Sequence, residues 1–264
     1  MWIGRDSELL RLRQTILERR SLLICGKPGS GKTSLLARSL LSLPGEIRRK
    51  CICCEVRGTL HVLLQQLALK FAMAGDELIL SRVQRERGTA ASPELWAGSQ
   101  TSLRLRGVLR AAARSGNYSI FLDAAARVPD GIYRLLQHWM WTGQTPAVVL
   151  ARGADERELG RASRLFWHEG LCMELGPLGT AAAKELFAAC VARFELHRFA
   201  TPEFCGFVLE ESAGLPGAIL LLCEMAAHAG YHFGGKIKIH TLRTDFRMKQ
   251  NLIQPPALRA ANHG

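Results

Sequence analysis

The chain has 264 residues, 48% apolar and 22% charged, a balance that supports one or two packed domains and argues against disorder. Its 35 Lys and Arg against 23 Asp and Glu leave a net charge of +12. That charge suits an anionic partner, whether nucleotide, nucleic acid or acidic membrane surface, without choosing among them. No run of about 18 uncharged apolar residues exists to span a bilayer. Residues 1–6 form no apolar leader, and the eight Cys lie in apolar surroundings that suit reduced thiols, so a cytoplasmic protein is expected. Cys51, Cys53 and Cys54 are the only cysteine cluster, and no second Cys or His cluster has the spacing to complete a zinc site.

In chain order, Asp6 reads as the cap of a helix running to about Arg19, with Leu9, Leu12 and Ile16 on its apolar side. Residues 21–25 are a short apolar run that stops at a glycine-rich turn, the mark of a buried parallel strand. A helix is predicted from Lys32 to about Leu43, stopped by Pro44 and Gly45. A second buried strand over 51–56 and an apolar helix over 59–74 follow. Residues 75–100 carry no clear period. With the charged stretch 82–87 and the loop signal 89–93, they read as helix fragments and a surface loop.

A helix over 101–114 ends at Ser115, Gly116 and Asn117. Residues 118–122 make a third strand closed by Asp123, and 130–141 make a helix. Residues 147–151 form a fourth strand closed by Arg152, and 171–175 a shorter fifth. Strands alternating with helices imply βαβ units and a parallel sheet covered on both faces. After Gly176, Pro177, Leu178 and Gly179 the pattern changes to helices over 180–196, 202–213 and 216–230. The expected fold is α/β, a parallel-sheet P-loop core over 1–175, followed by a small all-helical lid domain over 176–230. A basic C-terminal tail over 231–264 completes it. Within the tail, 235–248 read as one strand and a short helix, and Pro255 and Pro256 precede a polar end.

The strongest motif is Gly26, Lys27, Pro28, Gly29, Ser30, Gly31, Lys32, Thr33, a complete G-x-x-x-x-G-K-[ST] match set between a strand and a helix. The glycines let the backbone wrap closely and turn its N–H groups inward as an anion nest. The helix that starts near Lys32, continuing through Ser34, adds its positive dipole end. Lys32 places a point charge at the β- and γ-phosphates, and Thr33 offers a hydroxyl to Mg²⁺. Asp123, at the end of an apolar strand, is the candidate carboxylate partner of that metal.

With these parts placed, the chain resembles the AAA-type ATPases and, more closely, their STAND branch (signal-transduction ATPases with numerous domains), with an Orc1-like or NB-ARC-like core. Ile3, Gly4 and Arg5, followed by Glu8 and Leu9, look like the family's N-terminal motif, which the resemblance places at the adenine. Arg152 matches the arginine that reaches toward the γ-phosphate. Leu175–Leu178 looks like the joint into the lid, and Gly214, Leu215, Pro216 like the G-x-P motif of STAND lids, whose proline packs near the base. No sensor-2 arginine follows; Gly217, Ala218 and Ile219 stand there.

The family usually carries an acidic residue after the metal-binding Asp, to activate water. Here Ala124 stands there, followed by Ala125 and Ala126, and a methyl group cannot accept a proton. Glu55, at the end of the strand expected beside that of Asp123, is the alternative, at a place comparable to that of the catalytic Glu in recombinase-type ATPases. A plain surface glutamate is the competing reading.

The resemblance implies ATP and Mg²⁺ as cofactors and a nucleotide-dependent switch with slow or partner-dependent hydrolysis, its output passing to a protein effector. Adenine over guanine rests on the likeness, because no Asn-Lys-x-Asp segment is present. A DNA-associated helper ATPase and a non-hydrolysing scaffold remain open, as does an oligomer in the ATP state. Arg106, Arg110 and Arg114 fall at four-residue steps on one helix face, and Lys236, Lys238, Arg243, Arg247 and Lys249 follow in the tail. These are either phosphate contacts on nucleic acid or solvated faces.

Overall fold

The computed structural model describes residues 2–56, 58–88, 92–125, 128–142 and 145–253. It divides into two compact units, Arg5–Leu175 and the segment from Gly176 onward, the latter joined by the N-terminal residues up to Gly4.

The first unit runs α1 (Asp6–Leu17), β1 (Leu22–Cys25), α2 (Lys32–Leu41), α3 (Gly45–Arg49), β2 (Cys51–Glu55), α4 (Leu60–Met73), α5 (Glu77–Arg87), α6 (Pro93–Ser99), α7 (Ser102–Ser115), β3 (Ser119–Ala125), α8 (Asp130–Trp141), β4 (Ala147–Ala151), α9 (Glu156–Leu159) and β5 (Cys172–Glu174). Its strands form one parallel sheet in the order β2-β3-β4-β1-β5. The two strands that read as unbroken apolar runs, β1 and β4, lie side by side with every residue buried. Strand β2, at the sheet edge, alternates half-buried and buried positions. Chain order therefore does not give spatial order: β4 is inserted between the strand that feeds the loop and the strand that bears Asp123.

Several boundaries differ from the sequence reading for local reasons. Arg5, not Asp6, holds the N-cap position of α1 and makes no side-chain cap bond; Asp6 is already helical. The helix stops at Leu17, and Arg19 turns into the left-handed region at φ 54°. The third strand is not closed by Asp123. It continues to Ala125, with a register irregularity against β4 between Leu122 and Ala125. Residues 75–100 hold two short capped helices. Asp76 accepts from the Ile79 N–H at 2.9 Å, and Ser92 from that of Glu94 at 3.1 Å, with Pro93 in the first turn. Trp96 is wholly buried and donates its indole N–H to Glu86 at 2.8 Å. Helix α5 buries only Ile79 and Val83, and the seven-residue α6 only Trp96 and Ala97, too few apolar positions to mark a period. The predicted loop at 89–91 and Ala126 lie outside the described residues.

The second unit contains α10 (Thr180–Arg193), α11 (Pro202–Ser212), α12 (Pro216–Ala226), a hairpin of β6 (His232–Phe233) and β7 (Lys236–Ile237), and α13 (Ile239–Ile253). Its core joins Leu186, Phe204, Ile219 and Leu222 to Leu242 and Phe246 of α13. The front of the segment read as a basic tail thus belongs to the helical core and holds two short strands rather than one. Its helix is 15 residues long. Residues 254–264, with Pro255 and Pro256, lie outside the described residues.

Candidate functional site

Glycines shape the loop between β1 and α2 for two reasons, backbone conformation and close approach. Gly29 and Gly31 hold left-handed φ angles of 79° and 95°. A Cβ on Gly26 would lie 2.6 Å from the Leu175 carbonyl oxygen and 2.8 Å from Ser30 Oγ. The Gly26 N–H donates to the Arg152 carbonyl at 3.2 Å, and that of Leu175 to the Cys25 carbonyl at 2.7 Å, so the sheet clamps the loop's base from both sides. Lys27, Pro28 and Gly29 form an exposed crest. Ser30 is buried, and its hydroxyl has no hydrogen-bond partner among the described residues. Helix α2 begins after Gly31 with no side-chain cap, leaving its first N–H groups unclaimed by a side chain.

Lys32 Nζ spans the loop, donating to the carbonyls of Gly26 at 2.6 Å and Lys27 at 3.2 Å. Burial, with the nearby charge of Arg152, holds this amine below its ordinary pKa, while Asp123 and Cys25 act in the opposite direction. Lys32 therefore lies within electrostatic reach of both Arg152 and Asp123, and Ser34 lies exposed in the first turn of α2. Thr33 Oγ1 donates to Asp123 Oδ2 at 2.8 Å, across 90 residues of chain. A hydroxyl and a carboxylate oxygen side by side are the hard donors that Mg²⁺ takes, so the residues present fit that ion.

Glu55 stands directly opposite Asp123 in the β2–β3 register, and the Val56 N–H donates to the Asp123 carbonyl at 2.9 Å. Thr33, Glu55, Phe121 and Asp123 all line one open groove of about 300 Å³. Cys53 and Cys54 also line this groove. Burial pushes the Cys51, Cys53 and Cys54 thiols up to about 12, 11 and 12. No three His, Cys, Asp or Glu side chains are grouped to hold a metal among the described residues.

The remaining motif residues fall in the helical unit, except Arg5. Arg5 is buried and pairs with Glu8 at 2.8 Å within the α/β unit. In the helical unit, a Cβ on Gly4 would lie 2.5 Å from that of Ala182, and Ile3 packs against the same core. The Leu178 N–H donates to the Gly214 carbonyl at 2.9 Å, and Gly214 adopts φ 73°. Pro216 opens α12. Three short segments that share no local pattern, around residues 3–4, 177–178 and 214, thus meet in one unit. Sequence reasoning placed Ser30 in the loop but missed the Leu175 carbonyl against Gly26, which only the register of β5 against β1 reveals.

Comparisons with known proteins concern these same elements. The family model described as AAA ATPase domain matches residues 1–145. A Walker-type ATPase of Pyrococcus abyssi has a similar structure, with a TM-score of 0.63 at 13% identity over 99% of this chain and 77% of that one. The Orc1 protein of Aeropyrum pernix, solved in complex with DNA, gives 0.62 at 16% identity over 93% of this chain and 66% of that one. A STAND protein with a tetratricopeptide repeat sensor from Pyrococcus horikoshii gives 0.52 at 18% identity, covering 86% of this chain but only 30% of that one. At such identities the likeness is one of fold. No curated protein matches the sequence.

Proposed function

Because this chain belongs to the AAA ATPase domain family, we propose that it is an ATP-binding switch of the STAND type whose hydrolysis is slow or depends on a partner. The observation that carries this reading is the bond between Thr33 and Asp123 at the mouth of the Gly26–Thr33 loop, beside Lys32. It supports an assembled triphosphate site rather than a bare glycine turn. When bound, Mg²⁺ would lie at Thr33 and Asp123 and neutralise charge on the terminal phosphates. The chain's own groups do the rest. Backbone N–H groups of the loop and of the uncapped α2 terminus hold phosphate oxygens. Lys32 supplies the point charge, and Arg152 gains a charge-assisted partner only when a γ-phosphate is present. That difference is what a switch needs, since a ligand shifts an equilibrium only by its differential contacts. The helical unit, with Ile3, Gly4 and Pro216 as proposed adenine-side residues, is the element proposed to respond, and a separate effector protein the recipient.

Slow turnover follows from Ala124. No proton acceptor stands after Asp123, so the task of orienting water passes to Glu55, which opens on the same groove. Glu55→Gln is expected to lower turnover by about 100-fold with ATP affinity unchanged; unaltered turnover would remove Glu55 from the reaction.

The proposal as a whole is tested by measuring ATP and ADP affinity and turnover together, with and without DNA. Retained ATP with turnover well below ~1 s⁻¹ and a distinct ADP affinity are expected; failure to retain ATP overturns the reading. Turnover raised by DNA would favour a DNA-associated helper ATPase, the reading supported by the likeness to an Orc1 solved with DNA. Retention with no turnover under any condition would favour a scaffold.

A further inference from the structure

The arginine stripe of α7 is not an ordinary solvated face. Arg106 and Arg110 are half-buried, and Arg110 Nε is sealed from solvent with no hydrogen-bond partner among the described residues. By contrast, Arg104 of the same helix pairs with Glu86 at 2.6 Å, and Arg161 pairs with Asp130 at 3.3 Å. No described carboxylate pairs with Arg106, Arg110 or Arg114. Like charges at four-residue steps repel along the helix, so the fold holds together positive groups that it does not itself neutralise. Helices α7 and α8 share one buried core, which contains Leu105 and Leu109 of α7 and Leu135 and Trp139 of α8. Burial, and after it the charges of Arg110, Arg114 and Arg106, hold the His138 imidazole of α8 below its ordinary pKa. One turn further on, Trp141 ends α8 with 74% of its surface exposed.

We propose that this face of α7 and α8 binds the sugar-phosphate backbone of a nucleic acid. The groups are guanidiniums without exception, and their planar fork matches phosphate oxygens two at a time. Arg106 to Arg114 spans about 12 Å along the helix, close to the axial rise of three to four phosphates at ~3.4 Å each. Trp141, on the side of α8 that carries His138, offers a ring on which an unstacked base can lie, the combination of cation and aromatic that single strands favour. An acidic polypeptide would satisfy the charges but gives the exposed indole no task. The patch lies wholly within the α/β unit, and the proposal does not rest on nucleotide binding.

The test uses the full chain without ATP, titrating a short labelled oligonucleotide, single-stranded and duplex, from low to physiological salt. Wild-type binding should weaken steeply with salt. Arg106→Gln, Arg110→Gln and Arg114→Gln combined should reduce the slope of log affinity against log salt by about 2–3, at 0.7–0.9 per lost phosphate contact. Arg114→Glu alone, at an exposed position, should weaken binding about tenfold and guards against misfolding of the triple variant. Lys236→Gln with Lys238→Gln, in the hairpin of the other unit, should change little. Absence of binding by the wild type overturns the proposal. So does binding untouched by the arginine variants, a loss that maps to the hairpin instead, or displacement of the oligonucleotide by polyglutamate at equal charge.

Discussion

Lys32→Ala is expected to weaken ATP retention in equilibrium dialysis by about 30- to 1,000-fold, corresponding to about 2–4 kcal/mol. Lys32 is the point charge of the loop, and its amine already bridges the Gly26 and Lys27 carbonyls. Burial and Arg152 both oppose its charge, and a phosphate group would relieve that opposition directly. Removing the amine leaves the backbone nest in place without its counter-charge, so residual weak binding is expected rather than none. A correctly folded Lys32→Ala protein that retains ATP like the wild type would overturn the nucleotide reading while leaving the arginine patch untouched. Loss of oligonucleotide binding in the arginine variants, conversely, should not alter ATP retention.

Gly26→Ala is expected to cost about 2–3 kcal/mol of stability and to lower Tm by about 5–10 °C. The added methyl would meet the Leu175 carbonyl oxygen at 2.6 Å and Ser30 Oγ at 2.8 Å. The serine can rotate; the carbonyl cannot easily retreat, because the Leu175 N–H is bonded to Cys25 and the Gly26 N–H to Arg152. Strands β1 and β5 therefore have to separate, or the loop has to shift, and ATP affinity should fall in step. Gly31→Ala is the informative contrast. Its φ is 95°, but nothing lies within 4 Å of the added carbon, so only the left-handed backbone penalty of about 1–2 kcal/mol applies. Equal melting temperatures for the wild type and Gly26→Ala, measured by calorimetry, would show that the clamp yields.

The two variants also separate what could be read before folding from what could not. The G-x-x-x-x-G-K-[ST] run states its own chemistry, because eight consecutive residues carry the turn, the charge and the hydroxyl. The carbonyl that makes Gly26 irreplaceable belongs to Leu175, which the sequence marks only as a joint between domains. The same contrast holds along β3. An apolar strand ending near Asp123 is plain in the sequence, but the strand runs on to Ala125 with a register irregularity against β4. Such irregularities re-aim side chains, and they arise from pairing with a neighbour rather than from any local residue preference. Residues 75–100 lacked a period because α5 buries only Ile79 and Val83 and α6 is only seven residues long. Their positions are set by caps at Asp76 and Ser92 and by the burial of Trp96. Residues 231–253 read as basic and therefore peripheral. Yet the apolar stripe of α13 places Leu242 and Phe246 in the helical core while Arg247 faces Glu211, since a helix buries one side regardless of its net charge.

The sequence by itself determined the phosphate-binding loop, the alternation of strands and helices that makes a parallel sheet, and the change to an all-helical pattern near residue 176. Each is written in contiguous residues, so local backbone preference and periodicity suffice to express it. Only the tertiary structure decided which distant groups meet. Thr33 bonds Asp123, Glu55 stands across from that aspartate, residues 4, 178 and 214 lie in one unit, and α7 and α8 share one buried core. Those encounters depend on the order of strands in the sheet and on which helix faces pack together. Both are set by how the whole chain buries its apolar surface, and no short stretch of residues contains that information.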